Sequence, residues 1–523
     1  MKIYIAQTNP KNADITYNLA IIKQHIDQAR AKKATIVVFG ELAITGYALK
    51  DLFLNATIIE QTAKAIEELE VYCPEIAVVI GYPKKDSLSD KLLNTAGVFY
   101  QGKLMLEYYK KALVDFECFN ESRYFTTKTN CQNTFSIQDH TFALSICHDI
   151  WDKKTMPEIS STKVDGIINI SASPYEIDKD STRDLVLIKA AKQHNCKVIY
   201  TNIVGGHDGL IFDGNSKIIN QNGNKLLQLK HCQTDSIVFD LTSTAIIPVA
   251  KLLKLDSMYK ALTLGVSEYI KNNSLKKICI GISGGLDSAV VAALAVDAIG
   301  AENVVGIFMP SRYTSQLSID AANQLAKNLS IQLITQPITS CFETLQLQLS
   351  NAPPAPQKVE QQNLQARLRC CILMYYANML NAVALNTGNK SELAMGYCTT
   401  YGDMIGALAP IGDLFKTKVF ELAKFLNTQQ ERIPAAIIQR PPSAELAPNQ
   451  KDTDQLLAYD LLDSILTKIL QANCIDSLNA EEKAIYHKLK NAEHKRRQSP
   501  FVIKLTNTSF NIDRQQPITY KPL

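Results

Sequence analysis

The octet Gly281 to Ser288, GISGGLDS, constrains the fold more than any other stretch of the chain. A strand-like run, Lys277 to Ile282, leads into it, and a helix-like run follows Asp287. A helix near Ser257 to Lys271 precedes this unit and a strand, Asn303 to Met309, follows it. That order predicts the βαβ beginning of a parallel sheet. At a strand-to-helix turn of this kind, backbone N–H groups and the helix amino terminus hold phosphate oxygens. The octet is not a Walker A loop, because no Gly-Lys-Ser/Thr follows and no lysine stands where β and γ phosphates need one. A lone Ser-Gly-Gly would read as local structure. The full octet, with Asp287 available for magnesium, reads as a phosphate loop.

At 523 residues the chain exceeds what one core usually organises, so two domains are expected. Strand-like runs at Thr35 to Phe39, Ile76 to Ile80, Phe142 to Ile146, Gly166 to Ile170 and Val198 to Thr201 alternate with helical stretches at Asn18 to Lys33 and Ser181 to His194. This predicts a first α/β domain. Asp213-Gly214 and Asn222-Gly223 are hairpin signals that could end it. The expected division is 1–245, a linker at 246–260, and a second α/β domain at 261–523. Asn351 to Gln357, NAPPAPQ, is the most loop-like segment.

Composition narrows the class. With 55 basic and 51 acidic residues the net charge of +4 gives no support for a nucleic acid partner. Twelve cysteines without a CxxC pair suit reduced thiols and a cytoplasmic compartment. The amino terminus has no basic region followed by an apolar signal core. No apolar run approaches the roughly 20 residues of a membrane helix, so no membrane partner is expected.

Three residues carry the first half: Glu41 after TIVVFG, Lys110 in YYKKAL, and Cys147 at the end of FALSIC before HDIW. Taken alone, Cys147 reads as a buried structural thiol. His148 tempts a Cys-His dyad, but neighbours on an extended strand project to opposite faces, so His148 reads as structural. With GELAITGY around Glu41, FNESRYF after Lys110 and NISASP after Cys147, residues 1 to 245 resemble the nitrilase family in order, spacing and flanks. The resemblance implies an α-β-β-α sandwich in which Cys147 attacks an amide, Glu41 is the general base and Lys110 stabilises the oxyanion. Lys110 is preferred to Lys111 because it stands three residues before Leu113, as in the family pattern. Family members bind glutamine through a tyrosine, a serine and a lysine, which fall here at Phe116, Ser173 and Lys179. Phe116 is a departure that removes one hydrogen bond, a contribution of about 0.5 to 1.5 kcal/mol. Val114 and Asp115 depart from a frequent Pro and Asn.

In the second half, SGGxDS resembles the pyrophosphate loop of the N-type ATP pyrophosphatases, which release AMP and pyrophosphate. NTGNKSELAMGYCTTYGDM further on is similar to the NAD synthetase branch. That resemblance implies a Rossmann-like, parallel-sheet adenine nucleotide alpha hydrolase domain. ATP contacts fall at Gly281, Ile282, Ser283, Gly284, Gly285, Leu286, Asp287, Ser288, Thr387, Lys416 and Ser443. Asp287 and Glu392 are implied around Mg2+. For the dinucleotide substrate, deamido-NAD, the implied residues are Asn363, Glu392, His494 and Lys495. Gln362 departs from a frequent glutamate. The run Lys495, Arg496, Arg497 taken alone reads as a solvated basic face. Asn363 and Arg367 lie one helical turn apart and share a face.

The two resemblances together imply that glutamine is hydrolysed to supply ammonia for ATP-dependent amidation of deamido-NAD. Ammonia is mostly protonated at neutral pH, so an internal route between the sites is the physical solution. The expected partners are the small-molecule substrates deamido-NAD, ATP and glutamine, with homo-oligomerisation as in relatives. Other ATP pyrophosphatases share the phosphate loop, but they are not expected to carry a nitrilase half. A nonenzymatic first half, decayed into an interaction module, is opposed by Glu41, Lys110 and Cys147.

Overall fold

Alternation organises the first unit. In β1 (Lys2–Gln7), Ile3 and Ile5 enter one core while Tyr4 and Ala6 enter another, because successive side chains on a strand point to opposite faces. A strand buried on both faces must lie inside a layered stack. The computed structural model describes all residues except 74, 117, 129–130, 159–162, 249–251, 350–357, 449, 472–474, 515–516 and 518–523. The proline-rich stretch at Asn351 to Gln357 lies outside the described residues. The chain divides into the units Met1–Leu252 and Leu253–Leu523.

The first unit runs β1, α1 (Ile15–Ala31), β2 (Ile36–Val38), α2 (Ala56–Tyr72), β3 (Ala77–Lys85), β4 (Leu92–Tyr100), β5 (Lys103–Tyr109), β6 (Thr134–Ile137), β7 (His140–Ile146), β8 (Gly166–Ser171) and α3 (Lys179–Gln193). It ends with β9 (Lys197–Asn202), β10 (Val204–His207), β11 (Leu210–Asp213), β12 (Lys217–Ile219), β13 (Lys225–Gln228) and β14 (Asp235–Asp240). Two six-stranded sheets form, in the orders β14-β1-β2-β3-β4-β5 and β13-β12-β9-β8-β7-β6. Their facing sides share one core in which Ile5, Val38 and Val79 meet Leu144, Ile168 and Ile199. On the outer side of the first sheet, Ile22, Ile26 and Leu69 of α1 and α2 pack on Tyr4, Val37 and Val78. On the outer side of the second, Leu187 and Ala190 of α3 pack on Ile167 and Val198. The unit is therefore an α-β-β-α sandwich.

The turns correct part of the sequence reading. Asn222-Gly223 does join the antiparallel pair β12 and β13. Asp213-Gly214 does not make a hairpin: β11 pairs with β10, whereas β12 pairs with β9 in a different sheet. The second hairpin turns at Asp208-Gly209, between His207 and Leu210. Gly214 instead bends the chain with φ +66°, where a Cβ would meet the Gln7 side chain at 2.2 Å.

The second unit opens with α4 (Lys254–Asn272), so residues 254–260 of the expected linker are helical. It continues with β15 (Lys277–Ile282), α5 (Leu286–Ile299), β16 (Val304–Phe308), α6 (Gln316–Leu329), β17 (Gln332–Thr335), α7 (Thr339–Leu349), α8 (Lys358–Met379) and β18 (Ala382–Leu385). Then come α9 (Lys390–Met395), β19 (Leu408–Ala409), α10 (Lys416–Leu426), α11 (Ala435–Gln439), α12 (Tyr459–Gln471), α13 (Ala480–Asn491), α14 (Glu493–Arg496) and β20 (Phe501–Val502). The sheet is parallel throughout, in the order β17-β16-β15-β18-β19-β20. The chain leaves β15 toward β16 on one side and returns to β18 on the other. This makes the carboxyl ends of β15 and β18 a topological switch point, where ligands bind in open parallel sheets. Among the described residues no helix is long and apolar enough to cross a membrane.

Candidate active sites

In the first unit, three chain reversals at the ends of β2, β5 and β7 bring the predicted residues together. Glu41 lies in the turn after β2, and its N–H donates to the Ser171 carbonyl at 3.3 Å. Gly81 of β3 allows this turn to lie flat, because a Cβ there would stand 2.4 Å from the Leu42 nitrogen. Lys110 follows β5, its N–H bonded to the Asn94 carbonyl at 2.9 Å. Cys147 follows β7 and opens a 3-10 turn, Cys147–Ile150, with φ +44°. A non-glycine residue in this region is held there only when its surroundings over-determine it. The buried Asp149 carboxylate does so: it accepts from the Ile146 N–H (3.0 Å), the Lys111 and Ala112 N–H groups (3.0 and 2.8 Å) and the Tyr108 hydroxyl (2.8 Å). One side chain thus ties the cysteine turn to the lysine turn. Burial pushes the Asp149 carboxyl up to about 6, against the lowering effect of those donors.

The Lys110 ammonium is 1% exposed and donates to Glu41 Oε1 at 2.8 Å and to Glu121 Oε1 at 2.7 Å. Glu41 also accepts from Asn94 Nδ2 (2.8 Å) and, through Oε2, from the Ala172 N–H (2.8 Å). Glu121 accepts from the Tyr47 hydroxyl (2.7 Å) and the Val114 N–H (2.9 Å). Burial opposes the charge on Lys110, but Glu121 and Glu41 outweigh it and raise its pKa well above the usual value. Burial first, then Glu41, pushes the Cys147 thiol up to about 12, while Lys110 and the Ala172 N–H pull it down. The resting thiol is neutral, so its nucleophile must be made by handing the proton to a neighbouring base.

Lys111 points elsewhere, 3.9 Å from Glu158. His148 shares the turn with Cys147 rather than an extended strand, so the reason given for setting it aside does not hold. Its ring packs against Phe116, with centroids 5.5 Å apart. Phe116 is 51% exposed. Ser173, just beyond Ala172, accepts from Arg183 Nη2 at 3.3 Å, and its N–H donates to Asn202 Oδ1 at 2.8 Å. Lys179 opens α3 and lies 3.2 Å from Glu176 Oε1.

In the second unit a cavity of about 290 Å³ opens at the switch point. Its wall includes Gly281, Ile282, Ser283, Gly285, Leu286, Asp287, Ser288, Thr387, Glu392, Lys416 and Ser443. Gly284 does not line it. With φ +74°, Gly284 instead packs on α6, where a Cβ would stand 2.4 Å from the Ser318 carbonyl oxygen. The loop is braced by Ser283 Oγ, which accepts from the Gly285 N–H (3.1 Å), and by Ser288 Oγ, which donates to the Gly285 carbonyl (3.1 Å). Helix α5 starts at Leu286, so its first-turn N–H groups lack helical acceptors.

Asp287 accepts from Asn389 Nδ2 at 3.0 Å and from Lys416 Nζ. Asn389 and Glu392 form a capping box at the start of α9. Burial first, then the Asp287 charge, raises the Glu392 pKa well above the ordinary carboxylate range. Lys416 is disfavoured as a cation by burial, yet Asp287 and Glu392 raise its pKa. Ser443 Oγ donates to the Gln450 carbonyl at 2.5 Å. Asn363 is not on the cavity wall; its Oδ1 accepts from Thr399 Oγ1 (2.9 Å), which is. Arg367 Nε donates to the Thr400 carbonyl (3.3 Å), so both α8 residues serve that segment rather than each other. Lys495 Nζ donates to the Gly396 and Cys398 carbonyls, both at 2.7 Å, beside the wall residues Tyr397 and Thr399. His494 is exposed, with Nδ1 2.8 Å from the Asn491 carbonyl. Arg496 is no solvated cation: it is 1% exposed and donates to the Leu393, Ala394 and Leu489 carbonyls.

Residues 2–251 match the family model for carbon-nitrogen hydrolase, and residues 258–499 match the one for NAD synthase. The chain is 37% identical to the glutamine-dependent NAD(+) synthetase of Synechocystis and 35% identical to that of Acinetobacter baylyi, in each case over 99% of this chain and 98% of the relative. It belongs to the glutamine-dependent NAD(+) synthetase family. The solved structure of the Acinetobacter baumannii glutamine-dependent NAD+ synthetase, in complex with adenosine diphosphate, superposes with a TM-score of 0.81 at 32% identity, covering 99% of this chain and 98% of that one. A Cytophaga hutchinsonii member at 20% identity shares the fold, with a TM-score of 0.84.

Within this family frame, the sequence reading missed several residues of both sites. Glu121 stood inside the quoted FNESRYF, but its role depends on folding back to Lys110. Asn389, which orients Asp287 and caps Glu392, lay inside the quoted NTGNKSEL. Asp452, which accepts from the Tyr459 hydroxyl at 2.9 Å, had no local signal. Among the described residues no group of three or more His, Cys, Asp and Glu side chains is arranged to hold a metal by itself. Magnesium is commonly held by one or two carboxylates plus substrate phosphates, and Asp287 and Glu392 at the phosphate loop fit that division.

Proposed function

We propose that the chain makes NAD from deamido-NAD, consuming ATP and glutamine and releasing AMP, diphosphate and glutamate. The observation that carries this reading is the coexistence of a Glu41, Lys110, Cys147 constellation in one unit with a lysine-free phosphate loop in the other.

In the first site, Cys147 Sγ attacks the glutamine side-chain carbon as Glu41 takes the thiol proton. Lys110 stabilises the oxygen that gains charge. Glu41 returns the proton to the departing nitrogen, ammonia leaves, and water opens the thioester to give glutamate. Lys110 suits this work because its charge is fixed by two buried carboxylates and costs no reorganisation during the reaction. Glutamine is held by Ser173, Lys179 and the Phe116 face.

In the second site, the substrate carboxylate attacks the α phosphate of ATP, pyrophosphate leaves, and ammonia displaces AMP from the resulting acyl adenylate. A bare carboxylate has no good leaving group; AMP supplies one. The octet Gly281–Ser288, with Thr387, Lys416 and Ser443, holds ATP, and Lys416 moves from Asp287 toward the phosphates. Asp287 and Glu392 would hold Mg2+, which when bound neutralises phosphate charge. Asn363 and Lys495 shape the Gly396-to-Thr400 wall on which the dinucleotide lies, with Glu392 and His494.

The test is product identification with deamido-NAD, ATP and magnesium, using glutamine or ammonium as donor. NAD with AMP is expected from both. ADP in place of AMP, or no NAD from either donor, would contradict the reading, and NAD from ammonium alone would mean that the first unit is silent.

A further inference from the structure

The phosphate loop contains no lysine, and the cavity's buried ammonium, Lys416, faces both Asp287 and Glu392. Lys416 is thus already paired with the Asp287 carboxylate. Pyrophosphate leaves the α phosphate carrying several negative charges, so a cation that is not already matched is needed where it forms.

The geometry points to Arg440 as an additional phosphate-binding residue that receives the β and γ phosphates and the departing pyrophosphate. This rests on the proposed cleavage of ATP between its α and β phosphates. Arg440 follows α11 and stands on the cavity wall. Its Nη1 donates to Ser318 Oγ at 2.6 Å, and its Nη2 lies 3.9 Å from where a Cβ on loop residue Gly285 would sit. Ser318 is the same residue on which Gly284 packs. Loop, α6 and Arg440 therefore form one assembly, with the guanidinium beside the N–H groups that take phosphate oxygens.

The charge of Arg440 is only loosely matched. The carboxylate oxygen it pairs with, Glu445 Oε1, is 3.9 Å away, well beyond the roughly 2.7 to 2.9 Å of a charge-assisted bond. That oxygen already accepts from Ser315 Oγ (2.7 Å) and Ser318 Oγ (2.8 Å). These bonds hold the Glu445 carboxylate at the start of α6. The Arg440 side chain is 13% exposed, so bulk water screens it little. A guanidinium can leave one hydroxyl for two phosphate oxygens, which a fork of donors binds together.

The experiment uses the full chain with ammonium as nitrogen donor and measures inhibition by inorganic pyrophosphate together with KM and kcat for ATP and for deamido-NAD. In R440A the inhibition constant for pyrophosphate should rise about tenfold or more and kcat/KM for ATP should fall similarly, while KM for deamido-NAD stays within about twofold. R440K should recover part of the loss. Pyrophosphate inhibition and ATP kinetics within about twofold of the unsubstituted enzyme, with unchanged melting, would overturn the assignment. If R440A does not fold, R440K and R440Q carry the comparison: tighter pyrophosphate binding by the lysine variant supports the assignment, and equal binding overturns it. An unsubstituted enzyme that forms ADP instead of AMP would bring down the proposed reaction itself, and this assignment with it.

Discussion

The two buried site lysines are built in opposite ways. Lys110 is sealed, 1% exposed, between carboxylates that are 0% and 5% exposed, and nothing in that cluster faces open solvent. Lys416 is as deeply placed at 3%, but its partner Asp287 is 16% exposed and lines a cavity. On the proposed reading a small amide arrives at a site whose charges are already in their working arrangement. On the same proposed reading the second site accepts a polyanion, and its charges pair with one another until phosphates replace those partners. Preorganisation is the first site's device, and exchange of partners is the second's.

Removing each lysine is the strongest way to break this comparison. Lys110→Met leaves Glu41 and Glu121 buried together without a counter-charge and should cost about 3 to 5 kcal/mol in the first unit. Lys416→Met should cost the second unit only about 1 to 2 kcal/mol, because water in the cavity can solvate Asp287. Hydrogen exchange resolved along the chain, reading β2 and β5 against α5 and α10, checks both. Equal losses would mean that the two ion pairs are alike.

A pH experiment sharpens the same point. Asp149, which fixes the Cys147 turn, has its carboxyl raised to about 6 by burial, above the ordinary 3.8. The folded state therefore binds this proton more tightly than the unfolded one. Its contribution is complete below about 3.8 and is lost as pH rises through about 6. Asp149→Asn removes that titration. Relative to the variant, the wild type should lose stability between about pH 4 and pH 6; parallel stability curves would show that Asp149 has an ordinary pKa.

The smallest expected effect concerns the rim. Phe116 is half exposed, against His148, where family members carry a tyrosine. Phe116→Tyr should tighten the glutamine KM by roughly two- to tenfold, corresponding to about 0.5 to 1.5 kcal/mol, with kcat unchanged. An unchanged KM would place that ring outside the glutamine pocket.

What could be read from the sequence followed the range of the interactions. Glu41, Lys110 and Cys147 each end or follow a strand, and the octet at Gly281 sits between a strand and a helix, so local pattern locates them. Glu121 was invisible in role because its partners, Lys110 and Tyr47, are set by chain reversal. Asp213-Gly214 and Asn222-Gly223 have nearly the same turn chemistry, yet only the second closes a hairpin. What differs is which sheet each strand joins, and that is a long-range choice. Lys495, Arg496 and Arg497 read as one basic run, although Arg496 is buried against three backbone carbonyls. The positive φ of Cys147 cannot be read locally either, because it is imposed by Asp149 and the lysine turn.

The central claim is the division of labour between the units, and the variant Cys147→Ala tests it most directly. NAD formation should be measured with glutamine and with ammonium as donor. Glutamine-dependent synthesis should fall by about a thousandfold or more, whereas ammonium-dependent synthesis should remain within about twofold of the unsubstituted enzyme. Equal loss with both donors in a folded variant would contradict the account, as would retention of glutamine use.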